Sequence, residues 1–198
     1  MRIGKYLIST GVNGPGKRFV IWFQGCSFHC KSCFNPEFWN KNGGKVMNVK
    51  EMLSIIDKYS GIEGVTFTGG EPFLQSKELL SLSKLIRCKN LTIVCFTGYQ
   101  YEDILKGKIP YGKELLNYID ILIDGRFIKE EKTFLIWRGS RNQKVYFLSE
   151  RYKYLKEFVE KEGISEAEIK VGKKGISITG IFDINFWEEL KKVLKEND

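Results

Sequence analysis

Short apolar runs alternate along this chain with segments whose apolar residues recur at helical spacing. Ile3–Ser9 reads as a first extended piece, followed by the turn Asn13-Gly-Pro-Gly16 and a strand over Phe19–Phe23. A helix is predicted over about 49–59, with Asn48 as N-cap and Met52, Ile55 and Ile56 on one face. Val65–Phe67 is the next strand, a helix covers about 76–86, and Leu91–Phe96 is almost continuously apolar. A strand buried on both faces of a parallel sheet has that pattern. Two short helical pieces then lead to a strand over Tyr118–Ile123. This strand–helix alternation predicts a parallel sheet or partial barrel.

The chain beyond about residue 147 reads differently. A helix over about 150–162 leads to strands Glu168–Val171 and Gly175–Ile181, joined by Gly172-Lys-Lys-Gly175. A last helix over about 185–195 places Phe186, Trp187, Leu190, Val193 and Leu194 on one face. The division expected is a core over 1–147 and a small α+β extension over 148–198, one strand of which completes the sheet.

The polar and glycine residues fall at the strand ends. Cys26-x-x-x-Cys30-x-x-Cys33 follows Phe19–Phe23, Thr68-Gly69-Gly70-Glu71-Pro72 follows Val65–Phe67, Phe96-Thr97-Gly-Tyr99 ends the third run, and Asp124-Gly-Arg126 ends the fourth. In α/β sheets and barrels the carboxyl ends of the strands form the site, so these motifs are expected to converge.

Composition narrows the classes. In 198 residues, 42% are hydrophobic and 14% aromatic, enough for one well-filled core. No run approaches the ~20 apolar residues of a membrane span. Met1–Tyr6 has no apolar core of a secretion signal, which predicts a cytoplasmic protein with reduced thiols. The net charge of +8 permits nucleic-acid binding, but the lysines are spread over several segments. A solvated basic surface, or a complement to an acidic protein partner, is the favoured reading.

Five cysteines are an odd set, three of them crowded within eight residues, which fits a metal site better than a disulfide framework. Three thiolates leave a tetrahedral zinc site one ligand short, whereas an iron–sulfur cubane held by three cysteines keeps one iron open. Zinc with His29 or a remote cysteine as fourth ligand, in a basic nucleic-acid-binding module, stays as the alternative. Cys88 and Cys95 read as core residues.

The cysteine motif at the end of the first core strand resembles that of the radical S-adenosylmethionine superfamily. The ordered set Asn13-Gly-Pro-Gly16, Gln24-Gly-Cys26, Cys33-Phe-Asn-Pro-Glu-Phe-Trp39, Thr68–Pro72, Phe96–Tyr99, Leu122–Phe127 and Trp137-Arg-Gly-Ser-Arg-Asn-Gln143 resembles, over roughly 5–147, the activating enzymes of anaerobic (class III) ribonucleotide reductases. The resemblance implies a partial (βα)6 TIM-like barrel, a 4Fe-4S cluster on Cys26, Cys30 and Cys33, and S-adenosylmethionine held by Gly69, Gly70, Glu71, Pro72, Thr97, Asp124 and Arg126. It implies reductive cleavage of that cofactor and hydrogen abstraction from a glycine of the reductase large subunit, with Asn13 and Gly14 receiving the glycine-bearing segment. A flavodoxin or ferredoxin-type electron donor is implied too. The alternative within this chemistry is another peptide or a small molecule as substrate.

From the residues themselves, Arg126 suits a cofactor carboxylate and Asp124 a ribose hydroxyl or a monovalent cation, against an exposed turn for both. Gly69–Glu71 and Asn13–Gly16 retain the reading of ordinary turns. Trp137–Gln143 either docks the partner or supports the site. Ser32 stands where many superfamily members carry an aromatic residue, which leaves Phe28 or Phe34 to pack on the adenine. The tail from about Leu148 is longer than the family leads one to expect.

Overall fold

The computed structural model describes residues 1–161, 166–172, 175–181, 189, 192 and 193. The first strand, β1 (Arg2–Thr10), turns back through residues 11–16 into β2 (Lys17–Phe23). Gly11 N donates to Gly16 O at 3.1 Å inside that turn, so the two strands form an antiparallel hairpin. After the cysteine loop come β3 (Lys45–Val46), helix α1 (Val49–Ile56), β4 (Gly64–Gly69), α2 (Ser76–Cys88) and β5 (Thr92–Phe96). Two single-turn helices, α3 (Tyr101–Leu105) and α4 (Gly112–Leu116), precede β6 (Ile121–Asp124), and β7 (Lys144–Phe147) follows it. The capping box expected of Asn48 is present: its Oδ1 accepts from Glu51 N at 2.9 Å, and Glu51 Oε2 accepts from Asn48 N at 2.7 Å.

One seven-stranded mixed sheet runs β3-β1-β2-β4-β5-β6-β7. The pairs β2–β4, β4–β5 and β5–β6 are parallel, while β1, β3 and β7 are antiparallel to their neighbours. In place of the expected six repeated βα units stand four parallel strands with antiparallel flanks. The reason is local: the short turn into β2 and the longer 125–143 connection into β7 carry no crossover α-helix, and a parallel pairing needs one.

Both faces of the parallel strands are covered. Phe19, Ile21, Phe23, Phe67, Ile93, Cys95 and Leu122 pack with Met52, Ile56, Leu79, Leu82 and Ile86 of α1 and α2. The alternate residues Val94, Ile121 and Ile123 pack on Ile136, Trp137, Tyr152 and Val159 from the chain that follows β6. This two-sided burial explains the near-continuous apolar runs. Arg18, fully buried in β2, ties the Asn13–Gly16 turn to β4 and β5: its guanidinium donates to Pro15 O, Thr66 Oγ1, Val65 O and Thr92 O at 2.7–3.2 Å.

Three expectations change. The segment expected as a helix over 150–162 is a 3-10 stretch (Glu150–Leu155) followed by the single turn α5 (Lys156–Val159). The two C-terminal strands, β8 (Glu166–Gly172) and β9 (Gly175–Ile181), pair with each other as a separate two-stranded sheet and do not extend the main one. Cys88, at the end of α2, is exposed, whereas Cys95 is fully buried as expected. The expected helix over 185–195 and the Lys173-Lys174 turn fall, but for residues 189, 192 and 193, outside the described residues. Among the described residues no helix is long and apolar enough to cross a membrane.

Candidate active site

A cavity of about 500 Å³ opens at the carboxyl ends of the four parallel strands, within the size range of small-molecule sites. Cys26, Cys30 and Cys33 line it together with Asn13, Phe28, Phe34, Gly69, Gly70, Glu71, Thr97, Arg126 and Trp137. The structure thus brings together most of the residues that the sequence singled out. Gly14, Pro72 and Asp124 stand outside its lining.

The cysteine loop and the Gly-Gly-Glu loop are locked through their backbones. Gly70 N donates to Phe23 O and Glu71 N to Gly25 O, both at 2.8 Å. Gly69 has φ +103°, and a Cβ there would lie 2.6 Å from Phe23 N. A Cβ on Gly70 would lie 2.4 Å from Gly25 O. The two glycines are therefore required by the close approach of β4 to the end of β2, which fixes the cysteine loop in place.

Glu71 is fully buried and saturated. Its Oε1 accepts from Phe73 N at 2.9 Å and Thr97 Oγ1 at 2.8 Å, and Oε2 accepts from Gly98 N at 2.7 Å. Burial pushes its carboxyl up to about 7, against the opposing pull of these donors. Glu71 and Thr97 thus clamp the end of β4 to the end of β5. Asp124 plays a similar part at the end of β6, where Tyr101 N donates to its Oδ2 at 2.8 Å and Lys144 N to its Oδ1 at 3.2 Å. The carboxylate expected to meet a ribose or a cation is thus buried and turned to backbone amides, neither an exposed turn nor a cavity wall. Burial raises its pKa as well.

The segment Trp137–Gln143 supports the site. Gln143 Nε2 donates to Gly125 O and Asn142 Nδ2 to Arg126 O, each at 2.8 Å. Trp137 Nε1 donates to Gly11 O at 3.1 Å, which ties this segment to the Asn13 turn. Arg126 is held with its guanidinium carbon 4.3 Å over the Phe28 ring, and Phe28 meets Tyr99 edge-on at 4.9 Å. Phe34 meets Phe127 edge-on at 5.3 Å. Both aromatic candidates therefore stand in the cavity wall, while Ser32 takes a left-handed backbone (φ +61°).

The donor set suits an iron–sulfur cluster. Burial raises the Cys26 and Cys33 thiols above their usual values, so a metal is needed to hold them as thiolates. Trp39 Nε1–H, buried in the same wall without a close hydrogen bond, is directed at the Cys33 sulfur and favours its thiolate form. The sulfurs are not drawn into a closed metal site here: no three His, Cys, Asp or Glu side chains among the described residues form one. His29 instead packs against Trp39, the ring centroids 4.9 Å apart and the rings tilted by 34°.

Sequence reasoning missed two contributors. Lys5 of β1 lines the cavity, its ammonium 4.8 Å over the Trp22 ring, with its pKa lowered by burial. Six residues of β9, Ile176–Ile181, line it as well. Lys5 is signalled only by a charge breaking the β1 pattern, and β9 by nothing local, because tertiary folding alone carries it there.

The chain is similar to the following known proteins. The family model described as a 4Fe-4S single cluster domain matches residues 12–146. The anaerobic ribonucleoside-triphosphate reductase-activating protein of Enterobacteria phage T4 is 40% identical over 144 residues, 68% of this chain and 86% of that protein. Proteins of the same name from Salmonella typhi and Escherichia coli K12 are each 32% identical. They cover 75% and 69% of this chain, and 99% and 92% of their own. Among solved structures, QueE from Escherichia coli shares 20% identity at a TM-score of 0.42, over 49% of this chain and 52% of its own.

Proposed function

Since this chain belongs to the family of anaerobic ribonucleoside-triphosphate reductase-activating proteins, we propose that it cleaves S-adenosylmethionine reductively at a 4Fe-4S cluster and installs a glycyl radical on a class III ribonucleotide reductase. The observation that carries this reading is the backbone lock between the three-cysteine loop and Gly69–Glu71 at the mouth of a cavity about 500 Å³ in volume. A zinc-bearing binding module has no use for such a cavity beside its thiols.

When bound, the reduced cluster and S-adenosylmethionine supply the carbon-centred radical that takes a hydrogen atom from the substrate. Cys26, Cys30 and Cys33 would hold the cluster. Gly69, Gly70, Glu71, Pro72 and Thr97 form the rigid shelf on which the amino-acid end of the cofactor is placed, with Glu71 and Thr97 acting by holding the shelf's shape. Arg126 offers its guanidinium to the cofactor carboxylate. Phe28 and Phe34, in the cavity wall, would pack on the adenine. Asp124 works at one remove, fixing the strand end from which Arg126 projects, and no cation is assigned to it. Asn13 and Gly14 form the turn facing the incoming glycine. Apolar and aromatic walls exclude water from the radical. In this reading the four parallel strands are a shortened, opened form of the superfamily's partial barrel, the setting is cytoplasmic, and a flavodoxin or ferredoxin-type protein delivers the electron.

Anaerobic reconstitution with iron and sulfide, followed by dithionite and S-adenosylmethionine, tests the proposal. The expected result is a brown protein with about four irons and four sulfides per chain, release of 5′-deoxyadenosine, and a glycyl radical signal on added reductase. One zinc per chain without sulfide, and no 5′-deoxyadenosine, would overturn it.

A further inference from the structure

The β8–β9 hairpin makes no backbone ladder with the main sheet, yet it lies across the site. Among the described residues, side chains tie it down at Thr179, Glu168 and Lys170. Thr179 Oγ1 accepts from Asn13 Nδ2 at 3.0 Å. Glu168 accepts from Thr10 N at 3.0 Å and from its hydroxyl at 3.4 Å. Lys170 Nζ donates to Ile8 O.

These three attachments occupy the surface that an incoming peptide needs. β1 pairs with β3 only through Arg2 and Ile3, so its edge from Lys5 to Thr10 has no strand beside it. Ile8 C=O and Thr10 N–H, two residues apart, point off that edge together, an acceptor and a donor in the spacing another backbone reads. Lys170 and Glu168, also two apart on β8, satisfy them with an ammonium and a carboxylate. Asn13 is spent in the same way. Its two Nδ2 hydrogens go to Ser9 Oγ at 2.9 Å and to Thr179, and the residue is only 8% exposed. The Asn13 amide therefore has no free hydrogen while the hairpin is seated.

The seating is weak by construction. A two-stranded hairpin is marginal by itself, and each attachment among the described residues is one side chain making one or two hydrogen bonds. The family match covers residues 12–146 and leaves the hairpin outside it.

We propose that the β8–β9 hairpin is a lid occupying the place of the reductase's glycine-bearing segment, and that this segment, extended along the β1 edge, displaces it and takes over Asn13. The proposal rests on the functional reading above for the identity of the segment, and on the geometry alone for the lid.

Hydrogen–deuterium exchange on the reconstituted protein tests it, using wild type, Thr179→Val and Thr179→Ser. Without reductase, Thr179→Val is expected to speed exchange of residues 166–181 and of Thr10 about two- to tenfold, the loss of one hydrogen bond, while β4 and β5 stay as in wild type and Thr179→Ser matches wild type. With saturating class III reductase from the same organism, the hairpin is expected to exchange faster and Tyr6–Thr10 more slowly. In the coupled assay Thr179→Val is expected to lower KM for the reductase about two- to tenfold. A hairpin that exchanges as slowly as β4 and ignores Thr179→Val overturns the lid, as does one that the reductase protects, since it would then be a fixed wall. Failure of wild type to release 5′-deoxyadenosine would sink the functional reading instead, and the exchange without reductase would still decide the lid.

Discussion

At the ends of β2 and β4 the cavity wall is backbone bonded to backbone, with Gly70 N on Phe23 O and Glu71 N on Gly25 O at 2.8 Å. Across the cavity β9 lines the same space, but the hairpin is held by the side chains of Glu168, Lys170 and Thr179. The first wall cannot move without breaking strand pairing, because its residues continue into a sheet buried on both faces. The second can leave with the sheet intact. Rigidity belongs where a cluster and a reactive cofactor need fixed geometry; weak attachment belongs where a macromolecular substrate enters.

The sharpest separation of the two walls is chemical. Cys30→Ala is expected to abolish iron and sulfide retention and with them all 5′-deoxyadenosine, whereas removal of β8–β9 side-chain attachments leaves cluster content unchanged. Iron and acid-labile sulfide assays on reconstituted proteins read this directly. Iron bound at wild-type level in Cys30→Ala would remove the cysteine loop from the site.

Stability should divide the same way. Ile93 is fully buried in β5 and Ile169 is 44% exposed on β8. Ile93→Ala is expected to cost about 2–5 kcal/mol, and Ile169→Ala about 0.5 kcal/mol or less, by urea unfolding of the metal-free chain. Equal losses would mean that the hairpin is part of the core. Gly70→Ala falls between them. Its new Cβ would meet Gly25 O at 2.4 Å, a backbone atom that cannot swing aside. About 1–3 kcal/mol is expected, accompanied by poorer cluster loading, since the cysteine loop is what has to move.

The contrast also explains what the sequence discloses. Strand ends bearing cysteines, glycines and acids are legible because parallel strands place all their carboxyl ends at one edge, so Cys26–Cys33, Gly69–Glu71, Thr97 and Arg126 converge once the strands are recognised. What those residues do locally is less legible. Glu71 and Asp124 read as ligand-binding carboxylates, yet their oxygens go to Gly98, Phe73, Tyr101 and Lys144 amides, partners that only the tertiary fold supplies. The number of parallel strands is overread from the sequence, since an apolar run does not reveal its direction, and β1 and β7 are antiparallel for want of a crossover helix. The placement of β9 has no signal at all: nothing in Ile176–Ile181 encodes the residue 166 positions earlier that Thr179 meets.

Acid offers the finest test of the comparison. Partial burial works against the Glu168 carboxylate, but hydrogen bonds from Ser9 and Thr10 and the neighbouring Lys170 ammonium outweigh it and hold its pKa below the usual 4.5. A carboxyl with a depressed pKa contributes docking energy in full above that usual value and loses it as pH falls through the depressed one. The core wall responds oppositely, since burial raises Glu71 to about 7 and its protonation on acidification relieves a buried charge. Hairpin exchange in the metal-free chain, expressed as the ratio of wild type to Glu168→Gln so that the intrinsic pH dependence cancels, is expected to lie about two- to fivefold below one above pH 4.5, the range of an exposed ion pair. The ratio should rise to one as Glu168 protonates. A ratio of one at every pH would show that Glu168 does not hold the lid, and would leave Thr179 on Asn13 as its principal latch.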